Sequence, residues 1–345
     1  MCHVTYNASR NRDSPHNVHK QPQLVQNWHA TVMSVSSGLK WLGSIYNDPL
    51  AGVFDLSSNW IVQKVASVSG LTCLPAHAHE ILLFAGFYFV VHILSAVAAP
   101  LFVPQYRSLK PANKHGFDAH VVSHVNAILL CVISFPMFFS DNLRTHTSYT
   151  PYSGFVVSAA VGYFLWDLVV TLVYYKYNGF GFFLHAIVAL YVFLQALRPF
   201  MMDIAAPFIW FEASTPFVNI NWFGSHVPNM ISPATRQING FLLLIVFFLC
   251  RIVAGPINGY RFFSDTLVNR VPSVPYPIVL SMMFSFLIMI SLNFYWFYKM
   301  LLILVRTIKE YRLDKKYDLT DRVANEATSS TRKNDKGGRR RRLVR

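Results

Sequence analysis

Residues 81–103 read ILLFAGFYFVVHILSAVAAPLFV, and this stretch decides the fold class. It contains His92 but no lysine, arginine, aspartate or glutamate. A helix of about 20 consecutive apolar residues is long enough to cross the hydrocarbon core of a bilayer. The stretch therefore predicts a transmembrane helix.

The composition of the whole chain supports a membrane protein with several crossings. Of its 345 residues, 53% are hydrophobic and only 13% are charged, whereas soluble domains usually carry about 25% charged residues. The four cysteines form no CxxC or CxxxC pair, so neither a metal knuckle nor a disulfide framework is indicated. Apolar residues here occupy positions that charged residues would fill on a soluble surface.

Further apolar stretches follow the first one at regular intervals. Together they predict an all-α polytopic membrane helical bundle of about seven transmembrane helices around a central cavity. The last helix is expected to continue to about Arg312. The six later spans are predicted at Ala119–Phe139, Phe155–Tyr175, Phe180–Leu197, Pro199–Phe217, Asn239–Ala254 and Pro277–Tyr298.

The composition changes at three points and predicts four regions. Residues 1–54 are polar and are expected to be largely disordered. Residues 55–76 should form an amphipathic interfacial helix, with Asp55 or Ser57 as its N-cap and Gly70 at its end. Residues 77–312 form the transmembrane domain, and residues 313–345 are predicted to be a disordered basic cytosolic tail.

The positions of the basic residues predict the topology. Residues 104–117 contain Arg107, Lys110 and Lys114 but no acid, and residues 306–345 contain 14 Lys/Arg against 6 Asp/Glu. The positive-inside rule places both segments in the cytosol, so an even number of crossings must separate them. This requires the weakly apolar stretch Pro199–Phe217 to cross, and it places the N-terminus in the lumen. The tail should contact anionic lipid head groups; nucleic acid is not expected as a partner.

Three ionisable residues interrupt the apolar spans and are the first candidates for a functional site. They are Asp167, His185 and Glu212. A charge at the bilayer centre costs at least about 2.5 kcal/mol on insertion scales. Such residues therefore usually pair with each other, bind a head group or transfer a proton, and we assign any catalytic role to these three.

The first two of these residues each allow two interpretations. Tyr163, Asp167 and Thr171 share one helical face, which is either a hydrogen-bond network between helices or a surface that contacts a ligand. His185 has no polar neighbour three or four residues away. It is either a packed histidine with one hydrogen bond or a general base.

Glu212 lies in a short stretch with many polar groups, among them Ser214, Thr215 and Asn219. Pro216 directly follows Thr215 and should break or kink the helix. Broken helices at membrane depth occur where they line a cavity. The stretch therefore predicts a lipid-binding site, with a kink at the membrane surface as the alternative.

Two further polar positions complete the candidate lipid site. Arg251, near the end of a span, either extends to the interface, pairs with Glu212 or Asp167, or holds a phosphate or carboxylate. The second span begins with a polar face that includes Ser123 and Asn126. His120 and His124 on the same helix have the spacing of metal ligands, but no third ligand is assignable, so no metal site is predicted.

Several segments resemble the TLC family (TRAM, LAG1 and CLN8 homology) over roughly residues 77–310. The resemblance is carried, in order, by LPAHAHEIL, FDAHVVSHVNAIL, GYFLWDL, GFFLHAIVAL and WFEASTPFVNINWF. The last of these is the most specific and is similar to the branch of the TMEM56 (TLCD4) type. The pattern resembles fungal members, because many animal members have arginine in place of His120 and histidine in place of Asn126.

The resemblance implies a compact bundle around a lipid-accommodating cavity, in the endoplasmic reticulum. The best-known relatives are ceramide synthases, which transfer an acyl group from acyl-CoA to a sphingoid amine. Their adjacent histidines correspond here to Leu184 and His185, and their aspartate pair corresponds to Glu212 and Thr215. A mechanism that needs two histidines cannot be transferred to this chain.

The sequence therefore predicts a multipass endoplasmic reticulum protein of lipid homeostasis, which senses or transfers lipids or regulates membrane lipid composition. One alternative is an acyltransferase related to ceramide synthases, with acyl-CoA as co-substrate; otherwise no cofactor is expected. The other alternative is a cargo receptor or scaffold whose basic tail binds coat components. Membrane lipid is the expected partner, and a homodimer is compatible with the sequence.

Overall fold

The computed structural model describes residues 42–143, 145–268 and 274–342, and every regular element in these ranges is helical. Four 3-10 segments, Leu42–Ser44, Pro104–Ser108, Phe135–Phe139 and Trp210–Ser214, and one π-helical turn, Phe248–Val253, join or extend the α-helices. The α-helices are α1 Trp60–Ser69, α2 Leu74–Phe102, α3 Pro111–Ser134, α4 Pro151–Val173, α5 Tyr175–Ala196, α6 Met202–Ile209, α7 Thr215–His226, α8 Pro233–Phe247, α9 Ala254–Val268 and α10 Tyr276–Arg342.

Six helical segments among the described residues are long and apolar enough to cross a membrane. They confirm the prediction of an all-α polytopic bundle. The remaining predicted span, Pro199–Phe217, is not continuous: α6 and α7 are separate short helices joined by a 3-10 turn. The topology with seven crossings and a cytosolic C-terminus stays a prediction.

Helix α4 lies at the centre of the bundle, since 67% of its most apolar stretch is buried, against 17–39% for the other five segments. It packs against α2 and α5. Gly162 allows the close approach of α2, because a Cβ there would lie 2.9 Å from the backbone oxygen of Ile81. Small residues serve this purpose at helix contacts in membranes.

Helix α1 precedes the first span and ends as predicted at Gly70, which has a φ of 73°. Its N-cap is Asn59, whose side chain accepts hydrogen bonds from the backbone N–H groups of Ile61 and Val62. The predicted caps were wrong, since Asp55 instead accepts from Ser57 N in the preceding turn. Trp60 on this helix is 75% exposed; its contact with the bilayer interface stays a prediction.

The second and third helices begin earlier than the predicted spans, at Leu74 and Pro111. The added turns contain polar residues that are buried against other elements, so a hydropathy reading excluded them. Asp118 is an example: its carboxylate accepts hydrogen bonds from the hydroxyls of Ser95, at 2.6 Å, and Tyr106, at 2.8 Å. Burial and the adjacent Asp118 raise the pKa of Tyr106, which keeps the phenol a donor.

The described residues extend into both ends that the sequence predicts to be disordered, and the disorder of these ends stays a prediction. Residues 42–54 contact the bundle, where the backbone oxygen of Tyr46 accepts from Tyr152 N at 2.9 Å; residues 1–41 lie outside the described residues. At the other end, α10 continues to Arg342. The sequence from residue 278 to residue 336 contains neither glycine nor proline, so nothing in it terminates the helix. The last three residues lie outside the described part.

The chain divides into two compact units, Met1–Asn293 and Phe294–Arg345. The described part of the second unit is the C-terminal portion of α10. All predicted site residues belong to the first unit.

Candidate lipid site

The broken segment between α6 and α7 presents Glu212 inside the bundle. Pro207 lies within α6 and Pro216 at the start of α7. Proline lacks a backbone N–H and cannot continue a regular hydrogen-bond ladder, and between the two prolines the chain forms the 3-10 turn Trp210–Ser214. The predicted break near Thr215-Pro216 is therefore present, and Glu212 lies on its turn, 8% exposed.

Arg251 faces this turn from the π-helical segment Phe248–Val253. Single π turns interrupt helices most often at functional sites. The Arg251 side chain is only 7% exposed, so the interpretation that it extends to the interface is wrong. Its guanidinium carbon lies 5.5 Å from the ring centre of Phe211 and 5.1 Å from that of Phe247, which positions a cation over two aromatic faces.

The hydrogen bonds of Arg251 fasten the broken segment to the neighbouring helices. Its Nε donates to Phe211 O at 3.2 Å and to Ser214 Oγ at 3.1 Å. Its Nη1 donates to Asn293 Oδ1 at 3.2 Å, and its Nη2 donates to Thr215 Oγ1 at 3.4 Å. All four acceptors are neutral, so none of them cancels the positive charge.

Glu212 is the anion beside Arg251, yet the two groups are not in direct hydrogen-bond contact. Arg251 Nη2 lies 3.9 Å from Glu212 Oε1, beyond the usual N–H···O range. A guanidinium has five N–H donors, and the bonds above use three of them. Nη1 and Nη2 therefore each have one further N–H that can donate to an additional acceptor, such as a phosphate, carboxylate or carbonyl oxygen.

A small, partly open cavity adjoins this pair and is lined by residues of α4, α5, α6, the two turns and α10. His185, Glu212 and Arg251 are its polar residues. Its volume is ≈ 50 Å³, far below the roughly 300–1,000 Å³ of pockets that hold whole ligands. The rest of its wall is apolar and consists of Phe164, Ala189, Val192, Phe193, Phe208, Phe211 and Met289.

The structure joins two of the three ionisable candidates at this cavity and places the third nearby. His185 and Glu212 both line the cavity, whereas Asp167 does not. The Asp167 carboxylate accepts a hydrogen bond from the hydroxyl of Thr171 at 3.3 Å, and it lies within electrostatic range of Glu212. Asp167 is thus a neighbour of the site rather than part of its wall.

Tyr163, the third member of the predicted polar face, packs in an aromatic cluster. Its ring centre lies 5.3 Å from that of Tyr88 and 5.7 Å from that of Trp166. Tyr163 is 7% exposed and Trp166 is 1% exposed. This part of the face lies in the interface of α2 with α4, where it stabilises the bundle.

Three other predicted lipid-binding residues form hydrogen bonds between helices. Asn219 on α7 is bonded to His120 at 2.7 Å and donates to Ser123 at 3.4 Å, both on α3. Asn126 accepts a hydrogen bond from the hydroxyl of Tyr88 on α2 at 2.8 Å. These contacts account for the residues as connections between helices. No role in lipid binding follows from them.

Asn293 and Phe247 belong to the Arg251 site but were missed by the sequence analysis. Asn293 is 1% exposed and lies in the apolar run MISLNFYW of α10. A single amide in such a run was an available signal, because polar side chains in membrane spans usually have a partner. Phe247 carried no comparable signal, since phenylalanine is frequent throughout the spans.

The comparisons with known proteins agree with this architecture. The TLC domain family matches residues 116–302, which include every residue of the Arg251 site. The chain belongs to the TLC domain family. This confirms the resemblance, and the TLC domain matched here contains α3 from Gly116 through the first part of α10.

The relatives of this TLC domain include fungal and vertebrate proteins. An uncharacterized TLC domain-containing protein of Schizosaccharomyces pombe is 34% identical over 237 residues, covering 67% of this chain and 80% of that protein. Topoisomerase I damage affected protein 4 of Saccharomyces cerevisiae is 36% identical over 249 residues, 68% of this chain and 86% of that protein. Human TLC domain-containing protein 4 is 26% identical over 255 residues, 71% of this chain and 92% of that protein. No solved structure matches the chain.

Proposed function

We propose that this TLC domain protein binds a membrane lipid in the endoplasmic reticulum and acts in lipid homeostasis. The polar head of the lipid binds between Arg251 and Glu212, and the adjoining part of its tail lies along the apolar wall formed by α5 and α10. The observation that carries the proposal is the buried guanidinium, which has two N–H groups without an acceptor in the described part of the chain and has Glu212 at 3.9 Å, beyond hydrogen-bond distance.

The chemistry of the site favours a head group with an acceptor oxygen. Phosphate, carboxylate and ester carbonyl oxygens all accept from a guanidinium, and two parallel N–H donors select planar or bidentate acceptors. The site also contains an acid and an imidazole, Glu212 and His185, which can bind the amine or hydroxyl of the same lipid. The apolar residues of the wall exclude water and strengthen each of these interactions.

The small volume of the cavity has a consequence for the binding process. A space of ≈ 50 Å³ accommodates about one or two water molecules at roughly 30 Å³ each, but no acyl chain. Lipid entry therefore requires α5 and α10 to separate, or the break between α6 and α7 to move.

Mass spectrometry of lipids that remain bound to the purified full chain tests the proposal. We expect a lipid in wild-type protein purified in mild detergent, and at least a tenfold lower amount in Arg251→Gln. Arg236→Gln is the matched control, because Arg236 on α8 is exposed and lies outside the site. Glu212→Gln should change which lipid is retained. Equal lipid content in wild type and Arg251→Gln would refute the proposal.

Acyl transfer is the second candidate function, since His185 and Glu212 line the same cavity. In that case His185 deprotonates a lipid amine or hydroxyl and Glu212 orients it. Comparing the cellular lipids of cells that express wild type or His185→Ala separates the two functions. Loss of one product at an unchanged protein level supports catalysis. Unchanged cellular lipids, with lipid still bound to the variant, support binding alone.

A further inference from the structure

A second group of polar side chains lies where α2 begins. His77, His79 and Glu80 on the first turns of α2 are 1%, 5% and 0% exposed. Asp48, from the segment that precedes α1, approaches them. One ligand atom each of Asp48, His79 and Glu80 lies within 4.8 Å of the other two. All of these residues precede residue 116 and hence the part of the chain that matches the TLC domain.

Each of the three side chains is held in place by one of its polar atoms. Asp48 Oδ1 accepts from Leu50 N at 2.8 Å. His79 Nε2 lies 3.1 Å from Leu50 O and must carry the hydrogen, because a carbonyl oxygen only accepts; the lone pair of the neutral ring is then on Nδ1. Glu80 Oε2 lies 2.8 Å from His77 Nδ1.

The remaining oxygen of Glu80 is the observation that indicates a ligand. Oε1 is buried and has no hydrogen-bond partner of standard geometry among the described residues, although the side chains of Asp48 and Ser158 lie close to the Glu80 carboxyl. A buried polar atom without a partner costs about 1–3 kcal/mol, and a charged one costs more. The carboxylate of Asp48 close by adds a second negative charge, so the arrangement needs either a shared proton or a cation.

We propose that Asp48, His79 and Glu80 bind one divalent transition-metal ion, with Zn²⁺ as the best match. Carboxylate oxygens and imidazole nitrogen are ligand types that zinc accepts, and three protein ligands leave the fourth tetrahedral position open. The imidazole favours zinc over magnesium or calcium, which prefer oxygen ligands. The charge of the ion also neutralises both carboxylates.

The surroundings of the three ligands fit a metal site. Metal-bound histidines usually donate their second N–H to a backbone carbonyl or carboxylate, as His79 does to Leu50 O. Glu80 is oriented by His77, whose Nε2 lies 2.7 Å from the Tyr149 hydroxyl. Two donors at 2.0–2.2 Å from one ion are at most about 4.4 Å apart. In tetrahedral geometry the donors lie about 3.3–3.6 Å apart, so ligand atoms that are now up to 4.8 Å apart must approach by as much as about 1.5 Å when the ion binds.

The bound ion connects the segment around Asp48 to the start of α2. Tyr149, beside the N-cap of α4, joins the same network through His77. The ion should therefore stabilise the N-terminal segment against the bundle. Sequence spacing alone did not predict the site, because Asp48 and His79 meet only in the folded chain.

The test measures zinc in the purified full chain. Protein purified in mild detergent without chelator should contain about one zinc per chain by plasma mass spectrometry. In Asp48→Asn the zinc affinity, measured by competition with a chromophoric chelator, should fall at least about 100-fold. Replacing His77 by asparagine should lower it about 10–100-fold, as is typical for residues that support a ligand. Asp55→Asn is the matched control, an exposed acid of the same segment, and should leave the affinity unchanged.

Asp48→Asn keeps the oxygen that accepts from Leu50 N, so the variant should fold. Loss of zinc from it, at an unchanged elution volume and helix content, supports the site. Two results together would show that the proposal is wrong: wild-type protein contains no zinc, and added Zn²⁺ raises the melting temperatures of wild type and Asp48→Asn equally. In that case the two carboxylates share a proton instead. Equal zinc affinity of Asp48→Asn and wild type would also overturn it.

Discussion

Replacing Arg251 by methionine should destabilise the protein strongly, because it leaves Glu212 as a buried carboxylate without a cation. Methionine fills a similar volume without polar atoms, so the loss is mainly electrostatic. Removing one partner of a buried ion pair costs about 3–5 kcal/mol. Four acceptors, among them Ser214 Oγ and Asn293 Oδ1, also lose their donor. The expected loss in free energy of unfolding is therefore about 3–5 kcal/mol.

The contribution of the pair itself follows from its geometry. Two unit charges 3.9 Å apart attract each other by about 4 kcal/mol at an effective dielectric constant of about 20. Relaxation and the cost of burying both groups reduce the net coupling to about 1–3 kcal/mol, which is the range of neighbouring residues in double-mutant cycles. In the double variant Arg251→Met/Glu212→Gln, no buried carboxylate is left without a cation. Its free energy of unfolding should therefore exceed that of Arg251→Met alone by up to this coupling energy.

The assay is denaturant unfolding in a fixed detergent, followed by tryptophan fluorescence, for wild type, both single variants and the double variant. Arg236→Met is the matched control and should change the free energy of unfolding by less than about 0.5 kcal/mol, as exposed positions usually do. The reasoning is refuted if the coupling energy of the cycle is below about 0.5 kcal/mol, or if Arg251→Met is as stable as Arg236→Met.

Three further variants test the packing around the site. Tyr88→Phe removes the hydrogen bond to the buried Asn126, so thermal unfolding should show a loss of about 1–3 kcal/mol; an unchanged melting temperature would contradict this contact. Gly162→Leu should prevent α2 from packing on α4, and size-exclusion chromatography should then show no monodisperse peak. A normally folded variant would show that α2 does not pack closely against Gly162. Asn59→Ala should lower the stability of α1 by about 1 kcal/mol, measured as faster hydrogen exchange of that helix alone.

The sequence predicted the helical bundle because its spans are long and nearly free of charge. It misplaced the starts of α2 and α3, since His77, Glu80 and Asp118 lower the hydropathy there, although the folded chain buries them. Apart from the contact between His77 and Glu80, their partners come from other segments, such as Tyr149 for His77 and Ser95 for Asp118. No local pattern reveals such partners, so a hydropathy reading assigns these turns to loops.

For the site, the sequence singled out Glu212 and Arg251 and allowed them to pair, and the structure places Arg251 Nη2 3.9 Å from Glu212 Oε1. It could not decide which helices are adjacent, because periodicity gives the face of a helix but not its neighbours. Asp167 was therefore grouped with His185, although it does not line the cavity. Asn219 and Ser123 were assigned to lipid on polarity alone, and the structure shows that they bond to each other across two helices.

The proposed function requires that a lipid head group binds at Arg251. The most direct measurement is an experimental structure of the full chain in lipid nanodiscs. We predict density for a head group with an oxygen atom within about 3 Å of Arg251 Nη1 or Nη2, and an acyl chain along α5 and α10. A map in which protein side chains close the cavity, with no lipid density beside Arg251 and Glu212, would contradict the proposed function.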